Sequence, residues 1–236
     1  LGREAYFQRL DLHASGKEPP LVVLGGAGAG KSALLANWAQ RYRQQHPDGA
    51  LIMHFVGATP ASSDWASMLR HIMGELQRRC GIKGELPTTP EALRQGFTAW
   101  LDQAAAKGRV VLLLDGLDRL EDRDGAPDLT WLPPSPPENV RLVLSALPGR
   151  ALDVMKERGW GTLQVQPLEV DERQQLAGMV LTQAGKRLDA ARLERIVQAP
   201  QCASPLFLRL LLEELRLFGV HEALDQRIGA CLQAVD

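Results

Sequence analysis

Leu21-Val-Val-Leu24-Gly25-Gly26-Ala27-Gly28-Ala29-Gly30-Lys31-Ser32 decides how the rest of the chain is read. The apolar run, entered from Pro19-Pro20, has the composition of a short buried strand. The glycine-rich stretch after it leads into an Ala- and Leu-rich segment, Ser32 to Gln45, that reads as a helix. Strand, glycine loop and helix in that order fit G-x-x-x-x-G-K-[ST], a phosphate-binding loop. Each residue type has a physical reason. Glycines permit positive φ and close backbone approach, so successive N–H groups from Gly25, Gly26, Ala27, Gly28, Ala29 and Gly30 point inward at phosphate oxygens. The helix N-terminus adds a partial positive charge. In such a loop Lys31 reaches the β- and γ-phosphates and the Ser32 hydroxyl ligates Mg²⁺.

Working outward, Ala50 to Val56 is a second strand, and Val110 to Leu114 is a continuous apolar run of the kind covered on both faces. Val140 to Leu144 is read the same way, and Thr162 to Val165 as a fifth strand. Between them Trp65, Leu69, Ile72 and Leu76 recur at helical spacing after Ser63, the expected N-cap. Leu93, Phe97, Trp100 and Leu101 mark another helix opening at Thr89-Pro90-Glu91, where proline suits the first turn. Alternating strands and helices predict an α/β fold with a mostly parallel sheet flanked by helices.

After Pro167 the pattern changes. Asp171 to Ala184, Ala190 to Gln198, Pro205 to Phe218 and Glu222 to Ala234 all read as helices with no strand between them. The expected organisation is a P-loop core over residues 1–167 and a small all-helical lid over 168–236. The stretch Trp131-Leu-Pro-Pro-Ser-Pro-Pro137 reads as a stiff surface connection. Leu208, Leu211, Leu212, Leu215 and Phe218 form a helical stripe, read as the core face of the lid in preference to a partner surface.

The second half of a nucleotide site is an acidic residue at the end of another buried strand, where it can hold the Mg²⁺ shell. Asp115 ends the Val110 run and fills that place. A carboxylate there is costly unless a cation or hydrogen-bond donors meet it. Two roles are open to Asp118: orienting or deprotonating the attacking water, or capping a helix over Asp118-Arg-Leu-Glu-Asp. Ser145, at the tip of the Val140 strand, either senses a γ-phosphate or lytic water or simply ends the strand before a turn. The chain's asparagines are Asn37 and Asn139, neither precedes a lysine, and there is no Thr-Lys pair. The guanine-reading [NT]-K-x-D motif is therefore missing, which favours adenine.

Composition bounds the alternatives. Of 236 residues, 45% are hydrophobic and 23% charged, an ordinary globular balance. With 27 Lys+Arg against 28 Asp+Glu, nothing in the overall charge points to nucleic acid or an anionic membrane. Cys80, Cys202 and Cys231 lie far apart, which argues against a disulfide framework or zinc cluster and fits the cytoplasm. The opening Leu1 without a signal region reads as a piece of a longer protein, and no run is long enough to span a membrane.

On these residues the chain resembles the nucleotide-binding module of STAND NTPases, the signal-transduction class that includes NACHT and apoptotic-ATPase domains. Leu1-Gly2-Arg3-Glu4 resembles that class's Gly-Arg-Glu opening motif, and Leu114-Asp115-Gly116-Leu117-Asp118 its extended Walker B. His54-Phe-Val-Gly-Ala58, Trp131-Leu-Pro133 and Leu142-Val-Leu-Ser145 look closest to nephrocystin-3-like and telomerase-associated-protein-like members. The resemblance implies Arg3 near the adenine or ribose, Gly28, Gly30, Lys31 and Ser32 on phosphate and Mg²⁺, and Pro205 against the adenine. Arg3 also reads as a solvated terminal residue, and Ser204-Pro205 as an N-cap and first-turn pair. Arg119 stands where the family has an acidic residue, and Ala146 where it has a sensor arginine, so slow hydrolysis is expected.

The expected function is a regulatory ATP/ADP switch with weak Mg²⁺-dependent hydrolysis, coupled to flanking sensor and effector domains and open to nucleotide-dependent self-assembly. Two rivals stand beside it: a P-loop small-molecule kinase, for which no acceptor-binding cluster is evident, and a DNA-associated AAA-type ATPase, for which no basic tail is.

Overall fold

The computed structural model describes residues 3–217 and 223–233. Leu1 and Gly2 of the opening motif, Phe218 of the leucine stripe and the two ends of the expected helix 222–234 lie outside the described residues. The chain divides into two compact units: residues 5–25 with 31–164, and residues 1–4 and 26–30 with 165–236.

The first unit holds the sheet. From its start run α1 (Glu4–Ser15), β1 (Leu21–Leu24), α2 (Lys31–Gln45), β2 (Ala50–Phe55), α3 (Trp65–Cys80) and α4 (Pro90–Lys107). Then follow β3 (Val110–Asp115), β4 (Val140–Ser145), α5 (Arg150–Glu157) and β5 (Gly161–Gln164). The strands form one sheet in the order β2-β3-β4-β1-β5, every neighbouring pair parallel. The α/β architecture with flanking helices is the one the sequence predicts. Every residue of β3 and β4 is buried, as befits strands at the centre of a sheet covered on both faces. Side chains alternate across a strand. Val110, Leu112 and Leu114 therefore join Val140, Leu142 and Leu144 in one cluster with Trp65, Met68, Leu69 and Ile72 of α3 and Phe97 of α4.

Several sequence expectations are corrected in this unit. The N-cap of α3 is Asp64, whose carboxylate accepts the Ser67 N–H at 2.8 Å; Ser63 is one residue too early. Asp118 caps no helix, because a short 3₁₀ turn over Leu117–Arg119 is all that forms there. Trp131 and Leu132 are buried core residues, so only the proline part of that segment is a surface connection. β4 is no pure apolar run: Arg141 is buried within it and donates to the carbonyls of Gly16, Glu18 and Glu138, which makes its burial tolerable. β5 lies one residue earlier than its expected span. α1 was not expected. It buries Leu10, His13 and Ala14, one helical face, and its Asp11 receives Trp38 Nε1 at 2.8 Å and pairs with Arg41 of α2 at 2.5 Å.

The second unit is helical: α6 (Val170–Gln183), α7 (Ala190–Gln198), α8 (Pro205–Leu217) and α9 (Leu224–Gln233). A reciprocal capping box between Glu169 and Glu172 starts α6, and the Asp189 carboxylate caps α7 at 2.9 Å. Leu208, Leu211, Leu212 and Leu215 of α8 pack with Ala177, Leu181, Ile196, Leu224 and Ile228, so this stripe is the unit's core. Leu206, Leu210 and Leu217 on the same helix are exposed. Among the described residues no helix is long and apolar enough to cross a membrane.

Candidate functional site

In a parallel sheet, ligand-binding groups gather at the carboxyl ends of the strands. β3 ends in Asp115 and β4 in Ser145 for this reason: the apolar runs fix the strands, and the first polar residue emerges at the tip. Asp115 is 2% exposed. Its Oδ2 accepts the Ser32 hydroxyl at 2.5 Å and its Oδ1 the Ser145 hydroxyl at 2.5 Å. Ser145, fully buried, also accepts the N–H of Gly116 at 2.9 Å. Gly116 has φ +76°, and the left-handed turn this allows folds the chain back at the strand end. These bonds are what the desolvated carboxylate requires, and the two hydroxyls come from positions 83 and 30 residues away in the chain.

Lys31 opens α2 and donates to the Gly25 carbonyl at 2.7 Å. Burial pushes its ammonium below the usual lysine range; the carboxylates of Asp118 and Asp115 oppose that shift and the Arg119 guanidinium adds to it. Asp118 accepts the Leu147 N–H at 2.8 Å, tying the turn after β3 to the turn after β4. Arg119 donates to the Val56 carbonyl at 3.3 Å. Arg150, the arginine just beyond β4, pairs with Asp122 at 2.7 Å and with Asp128 at 2.5 Å. Lys31, Ser32, Asp115, Asp118 and Ser145 thus belong to one unit, with Ser32, Asp115 and Ser145 joined directly. Sequence reasoning missed the Leu147 N–H and the Gly116 N–H, because backbone donors leave no mark in residue identity.

Residues 26–30 belong to the helical unit. The Gly28 carbonyl accepts the Leu206 N–H at 3.3 Å and the Ser204 hydroxyl at 3.4 Å. At Gly28, with φ +73°, a Cβ would come within 3.1 Å of both Leu206 Cβ and Ser204 Oγ, so a side chain there would be strained in conformation and crowded in space. A Cβ at Gly30 would meet the Pro205 ring at 3.4 Å. Ser204 Oγ accepts the Phe207 N–H at 3.4 Å, the geometry of an N-cap for α8. Arg3 is not a solvated terminal residue: its guanidinium donates to the Gln166 carbonyl at 2.9 Å and pairs with Glu172 at 3.0 Å.

The donor set defines what such residues can hold. A serine hydroxyl and a carboxylate are hard oxygen donors, and Mg²⁺ takes one or two of these while substrate phosphates and water complete its shell. Ser32 and Asp115, already 2.5 Å apart, fit that chemistry. No group of three or more His, Cys, Asp or Glu suited to a metal occurs among the described residues.

Comparison with known proteins agrees with this geometry. A TPR repeat-containing protein of Dictyostelium discoideum is 29% identical over 92% of this chain and 15% of its own length. Nephrocystin-3 of Xenopus tropicalis is 27% identical over 100% of this chain and 18% of its own. The chain therefore spans less than a fifth of these curated relatives. Among solved structures, a STAND protein with a tetratricopeptide repeat sensor from Pyrococcus horikoshii shares the fold, with a TM-score of 0.54 at 14% identity over 97% of this chain and 32% of that one. Residues 1–145 match the AAA ATPase domain family. With a phosphate loop between β1 and α2, a buried acidic strand tip and this sheet order, the chain belongs to the AAA ATPase domain family and has the fold of a P-loop NTPase.

Proposed function

We propose that this chain is the ATP/ADP-binding switch module of a larger signalling ATPase, with slow Mg²⁺-dependent hydrolysis. The observation that carries the reading is the Gly28 carbonyl. It lies inside the phosphate loop and at the same time receives the Leu206 N–H and Ser204 hydroxyl at the start of α8. A loop that must close around phosphates therefore shares a backbone group with a helix end, and ATP and ADP bias that helix only through contacts that differ between them. The γ-phosphate with its Mg²⁺ supplies such a difference.

In this reading Gly25, Gly26, Ala27, Gly28, Ala29 and Gly30 offer backbone N–H groups to the phosphates, and Lys31 supplies the charge. Ser32 and Asp115 hold Mg²⁺, while Arg3 and Pro205 flank the adenosine. Mg²⁺ neutralises charge on the phosphates when bound; what the chain itself supplies for hydrolysis is the Asp118 carboxylate. Slow turnover is supported by what surrounds it. Arg150 is committed to Asp122 and Asp128, and Ala146 follows Ser145. An arginine at the γ-phosphate is worth about 10³ to 10⁵ in rate where it has been dissected. Flanking sensor and effector domains of the intact protein are the expected partners, with cytoplasmic location and nucleotide-dependent assembly part of the same proposal.

Amide hydrogen exchange across 204–210 tests the switch. Protection should differ between ATP and ADP; identical protection contradicts it. Asp118→Asn keeps an acceptor for the Leu147 N–H and removes only the charge, so it should lower the residual rate and leave ATP affinity intact. A rate unchanged in that variant removes Asp118 from the chemistry.

A further inference from the structure

We infer that Ser145 is a positioning residue for the Asp115 carboxylate, acting on nucleotide binding through the divalent cation and not by contact with the terminal phosphate. The inference rests on the proposed Mg²⁺ role of Asp115 and deepens it. A serine hydroxyl has one proton to give. Here that proton goes to Asp115 Oδ1 at 2.5 Å, while the oxygen takes the Gly116 N–H at 2.9 Å. Ser145 is 0% exposed, and its backbone is paired in register with Val23 of β1. A donation to a phosphate oxygen would need the same proton, and would leave one oxygen of a buried carboxylate without its donor.

The arrangement divides the carboxylate between two hydroxyls. Oδ2 faces Ser32, the residue that ends the phosphate loop; Oδ1 faces Ser145, at the tip of the neighbouring strand. Ser145 thus fixes the rotation of the Asp115 side chain, which leaves Oδ2 aimed at Ser32 and at any cation Ser32 shares. Groups that orient a metal ligand in this way typically matter by about 10- to 100-fold in metal affinity.

Calorimetric titration with ADP and with a non-hydrolysable ATP analogue, each in Mg²⁺ and in EDTA, tests the inference on the whole chain. Ser145→Ala should shrink the affinity gained from Mg²⁺ by about tenfold, equally for both nucleotides, and leave the EDTA affinities unchanged. Ser145→Thr, which keeps the hydroxyl, should restore the gain. If Ser145→Ala fails to fold, Ser145→Cys, of similar size and a weak donor, is read in its place. A loss confined to the ATP analogue, or a Mg²⁺ gain that stays intact, overturns the inference. Asp115→Asn separates the two levels. If it abolishes the Mg²⁺ gain while Ser145→Ala does not, only the positioning role fails; if it retains the gain, the metal reading of Asp115 fails and takes this inference with it.

Discussion

The turns that close β3 and β4 and the turn that opens α8 are built from the same kinds of group, hydroxyls and backbone amides, but to different standards. At the strand tips, buried Asp115 and Ser145 engage donors at 2.5–2.9 Å, and the strands behind them are buried throughout. At the opening of α8 the bonds to the Gly28 carbonyl and to the Ser204 hydroxyl run 3.3–3.4 Å, and Leu206 is 52% exposed. Short bonds among desolvated groups are costly to break, whereas long ones near water exchange for hydration at little cost. The difference suits a rigid place for charge and metal in the sheet unit and an adjustable place for response in the helical one.

The comparison is most open to attack at its rigid side. Leu114→Ala removes a side chain with no exposure just behind Asp115, and should cost about 2–5 kcal/mol in denaturant unfolding. A loss below 1 kcal/mol would mean that the strand tips are not held by the packing behind them. Lys31→Ala is next. It deletes a charge-assisted contact while the glycine backbone remains, and triphosphate affinity should fall roughly 10- to 100-fold by calorimetry. Unchanged affinity would remove the loop from the site.

A pH titration sharpens the account of burial in the sheet unit. His13 Nε2 donates to the Leu142 carbonyl at 2.9 Å in the neutral form, its ring wholly buried. Burial pushes its pKa below 6.5, the Leu142 bond opposes this, and the nearby Arg141 and Arg9 add to the lowering against Glu18. His54 is lowered chiefly by burial too, with the Ser62 carbonyl opposing. Both groups therefore bind protons more readily unfolded than folded, so stability should be full above pH 6.5 and fall as pH drops through and below it. The slope should flatten in a His13→Gln variant; equal slopes would show that His13 is not a buried neutral group. The smallest effect belongs to the adjustable side. Leu210, 60% exposed, should tolerate Leu210→Ser within about 0.5 kcal/mol. A larger loss would mean that α8 carries buried contacts on its outer face.

The same contrast explains what could be read in advance. Strands announce themselves when apolar residues run together, so β1, β3 and the glycine loop were legible, and Asp115 stood out as the first polar residue beyond a buried run. α1 escaped because its buried face is one leucine, one histidine and one alanine, Leu10, His13 and Ala14, while Leu12 on the same helix faces water. Ser63 reads as the cap although Asp64 fills that role, because adjacent polar residues have similar capping propensity and only backbone geometry separates them. Trp131 and Leu132 were hidden by the prolines after them. The partners of Asp115 were the least legible of all. A sequence says that a buried carboxylate needs donors, but which distant hydroxyls supply them depends on strand order, and strand order emerges only from the fold.

Calorimetry of the chain with Mg²⁺-ATP and Mg²⁺-GTP bears most directly on the central claim, that the loop, Lys31, Ser32 and Asp115 form an adenine-nucleotide site. The account predicts saturable binding of ATP with one nucleotide per chain, and GTP weaker by about tenfold or more, a difference of roughly 1.4 kcal/mol. GTP binding as tight as ATP, or no binding of ATP at all, would contradict it.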